Sequence, residues 1–356
     1  MNRRYTFIFA LLASTVLSTN AISLTLNPTL DSLKTEDNQL PNSVFSYDKG
    51  SETDYDFTVQ EADENGTLTT KYYKINIADN RLSTSSNISW IGLESKPDDM
   101  TNVIEIKLPN NQVKYFKYTY TVPSRYETIT ERNDNTLASS DVTDVVFSGI
   151  GSTSGGGAIY NTQNNSSVNI KSDFIGNYAS STSSVYGGAI YNYADKTSLT
   201  ATIGNITGDF IGNYANGRGG AISNHALYNR NGSFSSAKAT IGDITGDFIG
   251  NYANGGGGAI YNYAAHNRTG DYSTAKATIG NITGDFIGNY SNSSSSSAHG
   301  GAIFNYAYNS DTTATIGNIT GDFIGNYSNS SSSSAIGGAI SNYAYDSDTT
   351  ATIGAK

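Results

Sequence analysis

Five aspartates recur at near-regular intervals along the second half of the chain, and they are its most regular side chains able to do chemistry. They are spaced by 36, 38, 38 and 37 residues and comprise Asp173, Asp209, Asp247, Asp285 and Asp322. Two carboxylates in unlike environments carry out acid–base catalysis on glycans, and carboxylate oxygens also bind Ca²⁺. A carboxylate at a corner of the chain instead accepts hydrogen bonds from nearby backbone N–H groups.

The uniformity of this aspartate column favours the corner role. A catalytic site interrupts a repeat with special residues, and the only local departure here is His225, which takes the place of a Tyr, with Arg218 and Arg230 in the neighbouring loops. The sequence contains no HExxH, GxSxG or P-loop motif. We therefore predict no catalytic residues, no cofactor and no metal site, and Ca²⁺ binding between coils is the alternative use of the column.

Three short apolar stretches in each repeat must position these side chains. They read ATIG, DFIGN and GGAI, and each is too short and too rich in Gly and β-branched residues for a helix, so we expect strands. Three strands per repeat without hairpin turns describe one coil, whose strands stack about 4.8 Å from their equivalents. The sequence therefore predicts an all-β, parallel β-helix of about six coils, one for each GGAI.

Comparing the repeats with one another predicts which side chains face inward. The Ile of GGAI and the Asn two residues later never vary, whereas the residue between them does, so we expect that residue to face outward. Stacked Asn amides bond to one another along such a ladder. The predicted structural ladders are Phe174, Phe210, Phe248, Phe286 and Phe323; Asn177, Asn213, Asn251, Asn289 and Asn326; and Ile159, Ile190, Ile222, Ile260, Ile303 and Ile340. The predicted outward interaction surface is Tyr193, Tyr263, Tyr306 and Tyr343.

The composition excludes several classes of partner. The 356 residues carry a net charge of −10, and only 15% of them are charged, so no clustered Lys and Arg are available for nucleic acid or an anionic membrane surface. The chain has no Cys, so disulfides do not stabilise it.

The beginning of the chain differs from the repeats. Arg3 and Arg4 precede an apolar run from Phe7 to Leu17, which is too short to span a bilayer and is typical of a secretory signal ending near Ala21. Residues 22–140 alternate like strands, and two hairpins are predicted around Glu64–Gly66 and Pro109–Asn111. We therefore expect a signal peptide at 1–21, a small β-rich module at 22–140 and the β-helix at 141–356.

The pairing of GGAI with F-x-x-N resembles the repeats of the chlamydial polymorphic outer-membrane proteins and similar autotransporter passengers. GGAI occurs six times and Phe-Ile-Gly-Asn five times, while the copy at Phe147 is degenerate and reads Phe-Ser-Gly-Ile. The resemblance implies a right-handed parallel β-helix at the cell surface of a Gram-negative-type bacterium, or secreted, and usually used for adhesion. Such proteins attach to the membrane through a C-terminal barrel, which is missing here, so we expect the sequence to be a fragment.

Three functions from different classes follow from these features. The first is a surface adhesin that binds a host-cell protein or glycan. The second is a polysaccharide lyase or hydrolase with a pectin-lyase-like fold, which would need catalytic carboxylates. The third is a structural stalk that associates with itself, and the outward tyrosines would serve it as well as they serve adhesion.

Overall fold

A computed structural model describes the chain at residues 23–26, 33–34, 45–49, 54–62, 68–76, 88–107, 113–122, 127–129, 133–134, 141–165, 168–195, 200–228, 236–266, 274–294, 297–309, 311–346 and 348–354. The predicted signal peptide and Arg230 lie outside these residues. The regular elements of the described residues are all β-strands, and no helix among them has the length and apolarity needed to cross a bilayer. Contacts divide the chain into two units, one of residues 1–120 and 321–325 and the other of residues 121–320 and 326–356.

The first unit contains two antiparallel sheets. One has five strands, Ser23–Leu26, Leu33–Lys34, Phe45–Lys49, Asp54–Ala62 and Leu68–Asn76. The other has three, Ile88–Leu93, Val103–Lys107 and Val113–Tyr120, and it buries Ile104, Phe116 and Tyr118. The strands expected to flank each hairpin turn do pair antiparallel, whereas the turn residues themselves lie outside the described part.

The second unit is a parallel β-solenoid, as the repeats predict. Its GGAI ladder consists of Asn133–Asp134, Ile159–Asn161, Ile190–Ala194, Ile222–Tyr228, Ile260–His266, Ile303–Tyr308 and Ile340–Tyr345. Its ATIG ladder consists of Asn164–Asn165, Thr200–Ile203, Ser236–Ile241, Thr274–Ile279, Thr312–Thr320 and Thr350–Gly354. Each strand pairs with its equivalent in the next repeat, for example Ile222 with Ile260 and Ala239 with Ala277.

The DFIGN stretches form the third main ladder, which we call the Phe ladder. It contains Glu127–Ile129, Val142–Ser148, Ile170–Ile175, Ile206–Thr207, Phe210–Ile211, Ile244–Thr245, Phe248–Ile249, Ile282–Thr283 and Phe286–Ile287. The fifth DFIGN copy also forms a strand, Phe323–Ile324. The ATIG and Phe ladders join into one sheet because the strand Thr312–Thr320 runs through both.

Short strands beyond the three expected ones follow the Phe ladder. They begin at the Tyr of FIGNY, and we call them the Tyr–Ala ladder: Gly151–Ser152, Tyr178–Ala179, Tyr214–Ala215, Tyr252–Ala253, Tyr290–Ser293 and Tyr327–Ser330. Ala298–His299 and Ala335–Ile336 form a further parallel pair.

Four turns of the solenoid are complete, and they begin at Thr200, Ser236, Thr274 and Thr312. The expected number was about six. The GGAI copies at Ile159 and Ile190 belong to the ladder, but no ATIG sequence precedes either copy. Between the two copies, Asn164–Asn165 take the position of an ATIG strand and pair with Thr200–Ile203.

Stacked phenylalanines form the centre of the solenoid. Phe174, Phe210, Phe248 and Phe286 are fully buried, and successive ring centroids lie 4.8 Å apart with nearly parallel planes. Phe147 extends the stack at 5.0 Å from Phe174. The spacing of the rings equals the spacing of strands in a ladder, so one ring per turn fills the interior without a gap.

The GGAI and ATIG ladders pack against each other through alanines. The buried members are Ala194, Ala201, Ala226, Ala237, Ala239, Ala264, Ala275, Ala277, Ala307 and Ala314. Methyl side chains let the two ladders approach closely.

The backbone of the coil requires glycine at both glycine positions of GGAI. Gly257 has a φ of 61°, a left-handed conformation that favours glycine. A Cβ on Gly258 would clash with the carbonyl oxygen of Gly301 in the next turn. The first glycine therefore turns the chain, and the second lets successive turns stack.

Candidate functional site

The aspartate column caps the backbone of successive turns. Oδ1 of Asp173 accepts a hydrogen bond from the N–H of Asp209 at 2.9 Å, and Oδ1 of Asp209 accepts one from Asp247 at 2.8 Å. The carboxylate of Asp247 does the same for Asp285. Asp209, Asp247 and Asp285 are at most 4% exposed. The described residues contain no group of three or more His, Cys, Asp or Glu side chains placed to hold a metal ion.

A second capping column was not recognised in the sequence. The residue after the glycine is Asn or Asp in the first four ATIG copies, and Asn169 precedes them in the same column. The Oδ1 of each residue accepts the backbone N–H of its equivalent in the next turn. The pairs are Asn169–Asn205, Asn205–Asp243, Asp243–Asn281 and Asn281–Asn318, at 2.7–3.0 Å. The recurring G-[N/D]-I-T was the available signal.

Two amide ladders run through the interior at the positions of the invariant asparagines. Along the Phe ladder, Nδ2 of Asn213 donates to Oδ1 of Asn251 at 2.9 Å and to the carbonyl of Phe174 at 3.0 Å. The same pattern joins the other members, Asn177, Asn251, Asn289 and Asn326.

The second amide ladder follows the GGAI strands. Nδ2 of Asn224 donates to Oδ1 of Asn262 at 2.8 Å and to the carbonyls of Ala239 and Thr278 on the ATIG strands. Its other members are Asn161, Asn192, Asn262, Asn305 and Asn342. Both amide ladders satisfy buried polar groups and hold neighbouring strands in register, which is a structural role.

The residue directly after the GGAI Ile lies on the side of the strand opposite the Ile, as expected, but in most copies it is covered and not exposed. Tyr191, Tyr261 and Phe304 are at most 6% exposed. They do alternate with the inward Ile, but the loop that precedes GGAI folds over them: Tyr186 stacks on Tyr261, and His299 stacks on Phe304. Alternation along a strand predicts the side of the sheet and not whether a loop covers that side.

The predicted outward tyrosines lie two residues further along the strand, at the edge of this cover. Tyr193, Tyr263 and Tyr306 are half-buried and Tyr343 is 43% exposed. The ring of Tyr306 lies 5.3 Å from that of Tyr263 and 5.5 Å from that of Tyr343. A parallel pair, Tyr308 and Tyr345, lies beside them at 5.5 Å. We call these residues the tyrosine face.

His225 interrupts the tyrosine face and is almost completely buried, at 5% exposed. Its ring meets the edge of Tyr263 at 4.6 Å, and its Nδ1 lies 3.3 Å from the hydroxyl of Tyr191. Its Nε2 is buried and has no hydrogen-bond partner among the described residues. Burial, with a smaller contribution from Arg218, lowers the pKa of His225 to about 3, so the ring is neutral at physiological pH.

Arg218 lies on the same aromatic cluster. The Cζ atom of its guanidinium is 5.4 Å from the ring centre of Tyr261 and 6.0 Å from that of Phe304, and Nη1 donates to the Tyr261 hydroxyl at 3.4 Å. Cation–π contacts of this kind stabilise a partly desolvated arginine. The structure therefore brings His225 and Arg218 together.

A recess of about 390 Å³ opens beside Arg218. Amides and hydroxyls line much of it: Ser184, Tyr186, Asn216, Asn254, Asn292 and Ser294. Each asparagine lies two residues after the Tyr that begins a Tyr–Ala strand. The rings of these tyrosines also stack, with Tyr214 at 5.1 Å from Tyr252 and Tyr252 at 4.1 Å from Tyr290. Sequence reasoning missed this recess because its loops vary in length and only their Asn recurs.

The degenerate copy at Phe147 lies in the stretch that matches a known family. Despite its sequence, this copy joins the Phe ladder, and Phe147 accepts a hydrogen bond from Asn177 through its carbonyl at 3.0 Å. The profile of the Chlamydia polymorphic membrane protein repeat matches residues 144–162, which contain Phe147 and the first GGAI. The chain carries the polymorphic membrane protein repeat.

The polymorphic membrane protein repeat thus corresponds, in this structure, to one Phe-ladder strand, the Tyr–Ala strand and one GGAI strand of the solenoid. No curated protein matches the chain, and no solved structure matches it. The next copy pairs with the matched copy in register, Phe147 with Phe174 and Ile159 with Ile190, and the later copies continue the same ladders.

Proposed function

We propose that this protein is an autotransporter-like passenger, displayed at the cell surface, that binds a host-cell protein or glycan through its tyrosine face. The polymorphic membrane protein repeat and the β-solenoid support the surface-passenger part of this proposal. The observation that carries the binding part is the tyrosine face itself, in which the partly exposed rings of Tyr263, Tyr306 and Tyr343 follow one another on a chain with few charges.

The tyrosine face suits a binding role because its rings are already ordered. Tyr263 and Tyr306 stack at 5.3 Å on neighbouring strands of one ladder. A partner that packs on these rings therefore costs little additional side-chain entropy. Tyrosine presents a flat apolar surface with a polar tip, and it is enriched where proteins bind.

We propose no catalytic step for the solenoid. An oxygen of each of Asp173, Asp209 and Asp247 accepts a backbone hydrogen bond in a repeating pattern. A glycan-cleaving site needs two carboxylates in unlike environments, whereas these three carboxylates make the same backbone contact.

The proposal is tested by binding of the purified full chain to three targets: intact host cells, immobilised glycans and itself. Saturable binding to cells or to glycans supports it. Self-association at micromolar concentration without either would favour the structural stalk, and no binding to any of the three would overturn the proposal.

A further inference from the structure

Arg218 is a partly buried cation in a chain of net charge −10. It lies in the loop between the strands Tyr214–Ala215 and Ile222–Tyr228. Its recorded hydrogen bond, to the Tyr261 hydroxyl, is long at 3.4 Å, and Tyr261 is the largest cause of the rise in the pKa of the guanidinium. No carboxylate pairs with Arg218 in the described part of the chain. A guanidinium carries five N–H donors in a planar fork that matches a carboxylate, so most of these donors remain available.

The surroundings of Arg218 have the chemistry of a sugar site. The recess has about 390 Å³, within the range of small-molecule sites. The side-chain amides of Asn216, Asn254 and Asn292 line it in a row, one from each turn. Each amide already makes a hydrogen bond within the chain: Oδ1 of Asn216 and Oδ1 of Asn292 accept one, and Nδ2 of Asn254 donates one. Since an amide has two N–H donors and two lone pairs, part of this capacity remains for a ligand. Tyr186, at the rim, stacks over Tyr261 with ring centroids 6.3 Å apart.

We propose that this recess binds a sugar that carries a carboxylate, such as a uronic or sialic acid residue of a glycan. Arg218 pairs with the carboxylate, and the asparagine row bonds to the ring hydroxyls. The inference rests on the proposed function, which places the protein where it meets glycans. It deepens that function by naming a ligand class and a site distinct from the tyrosine face. Because the asparagines recur in successive turns, the recess extends along the solenoid axis and fits a chain of sugars.

The experiment is titration of the purified full chain with glucuronic acid, N-acetylneuraminic acid, glucose and glucose 6-sulfate, followed by NMR or calorimetry. The variant Arg218→Met removes the charge and keeps an apolar stem over Tyr261. Lys238→Met is the matched control, because it removes an exposed cation from the ATIG ladder. Asn254→Asp is a second variant that adds a carboxylate to the recess without removing an acceptor. Thermal melts report whether each variant folds.

We expect an acidic sugar to bind and glucose not to bind. Arg218→Met and Asn254→Asp should each weaken binding by about tenfold or more, since a charge-assisted pair is lost or neutralised, while Lys238→Met leaves it unchanged. Equal binding of glucose, unchanged affinity in a folded Arg218→Met protein, or no binding of either carboxylated sugar would overturn the proposal. Preferential binding of the sulfate would overturn the choice of a carboxylate.

The two proposals fail separately. If the chain binds the free acidic sugars but neither cells nor immobilised glycans, the recess stands and the adhesive function falls. If the chain binds cells, Arg218→Met leaves that binding intact and no acidic sugar binds, then the recess proposal falls and the function stands.

Discussion

Oδ1 of Asp247 accepts a hydrogen bond from the backbone N–H of Asp285, 38 residues away, at 2.8 Å. We predict that Asp247→Ala destabilises the protein by about 1 kcal/mol through the lost cap, whereas Asp247→Asn, which keeps an acceptor oxygen, changes stability much less. Chelator should leave the melting temperature unchanged. Urea denaturation of both variants, with and without chelator, checks this. If Asn destabilises as much as Ala and chelator lowers the melting temperature, the column holds Ca²⁺.

The second glycine of GGAI gives a prediction with an internal control. In Gly258→Ala the new methyl group would clash with the Gly301 carbonyl of the next turn, so strands must move apart and we expect a loss of about 3 kcal/mol or more. In Gly338→Ala, at the same place in the motif, the nearest atom is the carbonyl oxygen of Asn326 at 3.9 Å, and we expect little change. Comparable melting of the two variants would contradict close stacking at this corner.

His225 makes stability depend on pH. Its pKa is lowered to about 3 in the folded state, below the ordinary 6.5, so the unfolded chain binds the proton more readily. The contribution to stability is complete above pH 6.5 and falls as the pH drops toward 3, by about 1.4 kcal/mol per pH unit. His225→Tyr restores the residue type of the column and should remove this component. Urea midpoints at pH 7 and pH 5 check it, and an equal pH dependence in both proteins would contradict it.

The ladders could be predicted because a residue that recurs at a fixed spacing pairs with its equivalent in the next turn. Phe210, Asn224 and Ile260 could be placed in this way. The cover over Tyr261 could not be predicted, because it depends on loops of unequal length whose residues recur only in part. The Arg218 recess has the same origin, since it lies where those loops meet the solenoid.

The degenerate copy at Phe147 shows a second limit of predicting the fold from residue identities that recur. Its Phe-Ser-Gly-Ile lacks the ladder asparagine, yet its ring stacks 5.0 Å from Phe174. Val146 and Ile150 of this copy are buried as well, and its strand pairs in parallel with Ile170–Ile175, because apolar packing and backbone pairing do not require the amide.

The most direct test of the account is binding to host cells by a variant of the tyrosine face. Tyr263→Ser with Tyr306→Ser removes both rings, and Tyr263→Phe with Tyr306→Phe keeps them as the matched control. We expect the Ser protein, shown by its thermal melt to be folded, to bind cells at least about tenfold more weakly than wild type, while the Phe protein retains most of its binding. Wild-type binding by the folded Ser protein would contradict the assignment of this face as the binding surface.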